Sequence, residues 1–348
     1  MKKLLGLLLF AIAIIATSCD VHEWPEPTTG AQVNLHLVYD HTFTIWEHPY
    51  NERSLEEYEN ILTEGIIQYV VRLYPIYNGE KTNTEQLQEF VFTRDLKEGY
   101  DYHTSLDVKP GEYEIMVWSQ IIPTENEEYI YDYTDFKYIN LVRHLPNTDY
   151  RDAHRGKVEV EVVPTISTQG PMDIEVKMER PLAKIEFITN DLNEFILEEL
   201  KRNYENSYRS LQYEDILRNL EEYNVKFYYY GYMPSAYSIF TDKPVDSKTN
   251  VIFKSTISQL TNTEASLGFD YVFTNGKESE VYIQIEILNK DEERLSFTKP
   301  IKVPIKRSYH TIITGQFLTA NASGGIYVNP EYDGDYNVIL RKKRIDNE

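Results

Sequence analysis

The chain has 348 residues, and its 35 Lys and Arg against 56 Asp and Glu give a formal net charge of −21 at pH 7. So acidic a surface repels phosphate backbones and anionic headgroups, which excludes nucleic acid as a partner. A single Cys rules out a disulfide framework, so burial and hydrogen bonding must hold the fold together.

The first elements lie at the N-terminus. Lys2 and Lys3, an apolar run over 4–16 and the small residues before Cys19 form a secretory signal over 1–18, its apolar run too short to span a bilayer as a mature helix. The lone Cys19 stands where a bacterial lipoprotein is cut and lipidated, and each acyl CH₂ then buried would contribute about 0.8 kcal/mol of membrane attachment. Loss of Lys2 and Lys3 with the signal lowers −21 by two, to −23. Residues 19–30, with Pro25 and Pro27, read as a polar tether. About 330 residues remain, more than one core usually organises, so two domains are expected. Tyr, at 29 residues, is the compositional outlier; its ring suits strands and half-exposed surfaces, where the hydroxyl stays wet.

Val33, Leu35, Leu37 and Tyr39 alternate along 32–39, the period of a half-buried strand. Further strands are expected at 68–76, 89–93, 112–119, 157–163 and 172–178, with turn signals at Asn78-Gly79 and Pro110-Gly111. Trp118 reads as a core aromatic. Arg180-Pro181 opens the second unit with a strand at 182–189. Asp191 and Glu194 then have the spacing of a capping box. Ile196, Leu200 and Tyr204 recur every four residues, and Tyr213, Ile216, Leu217 and Leu220 make a second apolar stripe, so helix is expected there. Strands resume at 225–230, 251–255, 269–273, 281–288, 294–303 and 309–318, with a hairpin signal at Asn275-Gly276. The sum is an all-β chain of two sandwiches, 31–179 and 180–348, with a helical insertion at the start of the second. The tail over 326–340, before Arg341-Lys342-Lys343-Arg344, is extended in pattern and reads as a final strand or as one donated to a neighbour.

Several runs carry a resemblance. They are Pro110-Gly111-Glu112-Tyr113 leading to Val117-Trp118, Arg151-Asp152-Ala153, residues 180–187 (RPLAKIEF), Gly231-Tyr232-Met233-Pro234, residues 242–247 (DKPVDS), 267–272 (LGFDYV), 303–307 (VPIKR) and 315–319 (GQFLT). Together they resemble the fimbrillin-related lipoproteins of Bacteroidales, in a subgroup related to the anchor and minor subunits of type V fimbriae. The resemblance spans nearly the whole mature chain. It implies two tandem transthyretin-like β-sandwiches, export as a lipoprotein to the outer membrane, and assembly with fimbrial subunits by strand addition. In related shaft subunits a trypsin-like protease removes an N-terminal strand. Arg53, in the polar stretch 51–54 (NERS), is the candidate cleavage position here, against an uncut arginine in an anchor that must keep its lipid.

No enzyme and no cofactor are expected. The eight His include no H-E-x-x-H pair, no G-x-S-x-G elbow or phosphate-cradling loop is present, and Cys19 is committed to lipid. His36, His41 and His48 lie close in sequence but read as solvated side chains, and no metal site is assigned. Asp333-Gly334-Asp335 lacks the further oxygen ligands of a calcium loop and reads as a turn. The positive binding feature is Phe227-Tyr228-Tyr229-Tyr230 with Tyr232, Tyr237 and Phe240. Alternation lets at most half of these face one ligand. Tyr228, Tyr230 and Tyr232 are therefore candidates for stacking on sugar rings, which makes a glycan-binding lipoprotein the alternative to a fimbria-related anchor or adhesive subunit; core on one side and surface on the other is the plainer account. Because Cys19 precedes the first strand, Cys19→Ala is expected to release the protein from the membrane fraction and abolish lipid labelling while leaving the folded part intact. Unchanged fractionation and labelling would refute the anchor.

Overall fold

A computed structural model describes residues 30–40, 44–46, 64–81, 86–123, 129–165, 170–207, 212–320, 326–328 and 340–342. Cys19, Arg53, His41, His48 and the Asp333-Gly334-Asp335 turn lie outside these. Before residue 180 the described strands are β1 (Ala31–Tyr39), β2 (Thr44–Trp46), β3 (Ile66–Pro75), β4 (Gln88–Asp95), β5 (Tyr102–Val108), β6 (Gly111–Ile122), β7 (Tyr131–Asp132), β8 (Ile139–Leu141), β9 (Ala153–Val162) and β10 (Met172–Glu179). After it come β11 (Leu182–Thr189), helices α1 (Leu192–Ser207) and α2 (Tyr213–Arg218), then β12 (Asn224–Tyr229), β13 (Met233–Ser238), β14 (Lys243–Lys248) and β15 (Ile252–Thr256). The remainder is β16 (Ser258–Gln259), β17 (Ala265–Phe273), β18 (Ser279–Leu288), β19 (Arg294–Phe297), β20 (Ile301–Ile305), β21 (Tyr309–Gly315), β22 (Ile326–Val328) and β23 (Leu340–Lys342). Among the described residues the chain is mostly strand with two α-helices, the all-β class that the sequence predicts.

β1, β3, β4, β5, β6, β9 and β10 form one seven-stranded sheet in the order β4-β3-β6-β9-β10-β1-β5, with β1 parallel to β10. β9 pairs with β6 from end to end but reaches β10 only through Arg155 and Gly156. The sheet therefore turns a corner on β9 and folds over itself. Val33, Leu35, Leu37, Ile174 and Val176 from one layer meet Ile67, Tyr69, Val71, Ile115 and Val117 from the other, all buried in one apolar cluster. Burial of each such side chain contributes about 1.5–3 kcal/mol relative to exposure. Gly156 stands at the corner because nothing larger fits: a Cβ there would lie 2.5 Å from Val176 Cγ1 and 2.6 Å from Met178 Sδ.

β3 and β6 are covered on both faces, so Val70, Met116 and Trp118 point away from this cluster into a second one. There they join Tyr131, Phe136, Ile139 and Leu141 of the connector and Leu182, Ile185, Phe187, Phe227, Tyr237, Phe273 and Ile285 of the C-terminal half. The C-terminal sheets run β16-β17-β11-β21-β2 and β15-β12-β18-β19, with β20 beside β18. A four-stranded sheet, β14-β13-β8-β7, and the parallel β2–β21 pair both cross residue 180. The second core is thus shared by residues from both sides of residue 180.

Three local expectations change. The hairpin expected at Asn275-Gly276 is not found: among the described residues β17 pairs with β11 and β16, whereas β18 pairs with β12, β19 and β20. The strand expected at 294–303 is split in two, because Lys299-Pro300 interrupts the ladder between β19 and β20, both of which lie along β18. Of the predicted stripe on α1, Ile196 is buried while Tyr204 is 64% exposed, outside the packed face. The Asp191 carboxylate, read as half of a capping box, accepts from the Thr319 amide at 2.9 Å and the Thr319 hydroxyl at 2.7 Å, tying α1 to the segment after β21. The ends of the tail, β22 and β23, pair antiparallel with each other. Overpacking at the corner of the first sheet should cost about 1–3 kcal/mol, so Gly156→Ala is expected to lower the melting temperature while Gly30→Ala, with open space around it, leaves it unchanged. Equal melting temperatures for the two variants would contradict the close approach of the layers.

Candidate functional site

Three features combine chemistry-bearing side chains: a buried ionic seam, an exposed tyrosine cluster and a cleft between two sheet edges. The seam forms where the turn at 149–151 meets β11 and β17. Thr148 caps that turn, its hydroxyl accepting from the Tyr150 amide at 3.3 Å. The cap aims Asp149 and Arg151 at the C-terminal sheet. Asp270, on β17 and 1% exposed, accepts from the Arg151 guanidinium and from the Tyr229 hydroxyl at 2.7 Å, and lies 2.8 Å from His144 Nε2. Arg151 Nη2 also donates to the Tyr271 carbonyl at 2.6 Å. Burial by itself would raise the Asp270 pKa, but the Arg151 charge, with the hydrogen bonds from His144 and Tyr229, holds it below the usual carboxylate range. Burial drives the Tyr229 hydroxyl well above its ordinary value, and the Asp270 charge adds to the effect.

Parallel pairs extend the seam. Lys184 Nζ donates to Asp149 at 2.8 Å and sits 4.1 Å from the Phe269 ring centroid, while the Tyr271 hydroxyl donates to the same carboxylate. Arg180 Nε spans both oxygens of Asp152, at 2.9 and 3.0 Å. Arg307 reaches Asp242 at 2.8 Å and the Tyr237 hydroxyl at 3.0 Å. His310 lies 3.1 Å from Glu186, and burial lowers its pKa against the pull of that carboxylate. Charged residues of the runs that carry the family resemblance thus pair across the fold, Arg151 with Asp270, Arg180 with Asp152 and Arg307 with Asp242, while Lys184 takes Asp149, which lies outside those runs. Their carboxylates are occupied by cations and phenols, an arrangement that holds structure and offers no nucleophile. Among the described residues no set of three or more His, Cys, Asp or Glu is arranged to hold a metal ion.

The tyrosine candidates divide by alternation. Phe227 and Tyr229 point into the core. Tyr228 is half-buried, its hydroxyl donating to Glu286 and its ring edge-on to Phe297 at 6.5 Å. Tyr230 and Tyr232 are 60% and 57% exposed, on either side of Gly231, whose φ of +100° few other residues adopt. The Tyr230 amide donates to the Tyr282 carbonyl at 2.7 Å, which sets the exposed Tyr282 across the ladder from it. Sequence reasoning missed Tyr282, because the Asn275-Gly276 signal points to pairing with β17, whereas β18 lies beside β12 in another sheet. Tyr237 and Phe240 leave the group, Tyr237 entering the seam and Phe240 packing edge-on against Tyr74 at 4.9 Å. His36 meets His103, whereas sequence proximity had grouped it with His41 and His48.

The cleft separates β4 from β5, the two ends of the seven-stranded sheet. Among the described residues neither has a ladder partner on its outer side. Side chains bridge the gap: Gln88 donates to the Asp107 carbonyl at 3.2 Å and accepts from the Lys109 amide at 3.1 Å, and Arg94 donates to the Asp101 carbonyl. A cavity of about 430 Å³ lies there, lined by Thr93, Arg94, Asp95, Glu98, Tyr102 and His103.

Residues 27–346 match a family described as a family of unknown function, DUF6562, and the chain belongs to it. Among solved structures it is similar to a protein provisionally described as an adhesin from Bacteroides thetaiotaomicron (10% identity, 79% of this chain and 80% of that one, TM-score 0.42). It is also similar to the fimbrial anchor protein Mfa2 of Porphyromonas gingivalis (11%, 77% and 82%, 0.36) and to a fimbrial assembly protein of Parabacteroides distasonis (13%, 84% and 92%, 0.37). No curated protein matches.

Asp270→Asn would leave the Arg151 charge buried without its partner and is expected to cost about 3–5 kcal/mol in urea unfolding. The pH dependence has a definite sign. Asp270 is depressed in the fold, so its contribution is present above an unfolded carboxylate pKa of about 4 and lost as pH falls through the folded value. His310 is also depressed, so its contribution is present above about pH 6.5 and declines as pH falls below it. Stability should therefore be level near neutrality and fall on acidification, with the loss below about pH 4 smaller in Asp270→Asn. A variant as stable as the parent at pH 7 would show that the seam does not depend on this pair.

Proposed function

We propose that this chain is a surface-exposed lipoprotein, held at the outer membrane through Cys19, that serves as a fimbria-related structural or adhesive subunit and receives an extended strand from a partner subunit between β4 and β5. The carrying observation is the cleft. One sheet folds back on itself until its two edges nearly meet, yet the closing contacts come from Gln88 and Arg94 side chains in place of a ladder. Such edges present unpaired main-chain groups, and an added strand gains affinity from main-chain hydrogen bonds and specificity from alternate side chains. On this reading the two halves are tandem transthyretin-like sandwiches, Arg53 stays uncut so that the lipid is kept, and no catalysis takes place.

A glycan-binding role is the second reading, favoured by the exposure of Tyr230 and Tyr232 beside Tyr282. Tyr228 contributes little on this reading, because its hydroxyl is already bonded to Glu286.

Hydrogen exchange separates the two. Fimbrial subunits purified from the same cells should protect amides of 88–95 and 102–108 when added to the mature protein; protection confined to other strands would overturn strand acceptance. Under the second reading, neutral polysaccharide instead protects 228–232 and 280–284, and Tyr230→Ala with Tyr232→Ala abolishes the effect.

A further inference from the structure

We propose that His36 and His103, joined by Asp173, bind a divalent transition-metal ion of the Zn²⁺ type on the outer face of the first sheet. β1 lies between β10 and β5, and its register places His36 level with His103 on β5 and with Glu175 on β10. Alternation sends all three outward, since the intervening Leu35 and Leu37 are buried. The two imidazole rings meet edge to face with centroids 4.5 Å apart. His36 Nε2 lies 4.0 Å from Asp173 Oδ1.

The neighbouring rank of the sheet holds that carboxylate in place. Asn34 Nδ2 donates to Asp173 Oδ1 at 2.9 Å, and the Ser105 hydroxyl donates to Asn34 Oδ1 at 2.9 Å. Ser105, Asn34 and Asp173 thus form a relay across the same three strands, one step along from the histidines. Partners that orient a ligand from behind in this way typically change metal affinity 10–100-fold.

The donor set suits the ion. Imidazole nitrogens bind Zn²⁺, Cu²⁺ and Ni²⁺, with metal–nitrogen and metal–carboxylate distances of about 2.0–2.2 Å, so two ligands of one ion stand roughly 3–3.5 Å apart. No three ligating side chains are arranged to hold an ion as they stand, and small rotations of exposed side chains would have to close the trio. The ladders on both sides of β1 fix the backbones, so those rotations are all that binding requires. Water would fill the remaining positions, and the acidic chain favours a cation throughout.

Titration calorimetry of the untagged mature protein with ZnCl₂ tests this. One site is expected, with affinity at least ten-fold weaker in His36→Ala and in His103→Ala, and weaker also in Asp173→Asn and Asn34→Ala. Cu²⁺ in place of Zn²⁺ should show two coordinated nitrogens by electron paramagnetic resonance, and one in either histidine variant. All four side chains face outward, and the melting temperature of each variant without metal confirms its fold. Absence of binding below millimolar Zn²⁺ would overturn the site, as would undiminished binding in both histidine variants, which would place the ion on other side chains.

Discussion

The interaction on which the architecture depends is the buried contact between Arg151 and Asp270. Removing a charge from water costs several kcal/mol per ion, repaid only when the remaining donors and acceptors are also satisfied. On the carboxylate side they are: Tyr229, His144 and the Tyr271 amide complete Asp270, and the Tyr271 carbonyl takes a second guanidinium nitrogen, leaving Arg151 Nε as the one buried donor of the pair without an acceptor among the described residues. Arg151 belongs to the connector and Asp270 to β17, the partner of β11. The pair therefore sets where the N-terminal half sits on the C-terminal sheet, and Arg180–Asp152 and Lys184–Asp149 repeat the constraint at the strand that leads into it.

An apolar interface of the same area could slide, because burial is non-directional. Bidentate and charge-assisted bonds specify angle as well as distance. That difference explains why so many charged residues lie inside strands that are otherwise apolar, as in Leu182–Thr189, where Lys184 and Glu186 are both buried. It also accounts for the second core running across residue 180. Once the ion pairs hold the connector against β17, Tyr131, Phe136 and Leu141 have nowhere to bury except among the C-terminal side chains.

The sequence made the strands legible wherever alternation or a long apolar run was strong. β1 and β11 are read nearly residue for residue. β5 (YHTSLDV) escaped because its inward positions include Tyr102 and Thr104, which weaken the period. β13 (MPSAYS) escaped because Pro234 and small residues disguise a strand that is buried over most of its length. β7 and β8 are too short to show any period. The seam was half legible: its residues were singled out as family-like runs, but Arg151 and Asp270 are 119 positions apart and nothing local announces that they meet. The one usable cue was charge embedded in apolar strands. Tyr282 and His103 were illegible for a related reason, since each gains its meaning from a neighbour placed by cross-strand register.

The position of β1 has a mechanical consequence. It is the first strand of the described chain, yet it lies inside its sheet, with seven residue pairs in parallel with β10 and seven antiparallel with β5. Tension arriving at Ala31 along the strand axis loads both ladders at once, so they resist as a clamp in shear; a strand peeled from an edge would give way one bond at a time. Resistance of this kind is governed by the unfolding rate and not by equilibrium stability. A protein of quite ordinary stability can therefore keep hold of its N-terminal segment under a steady pull.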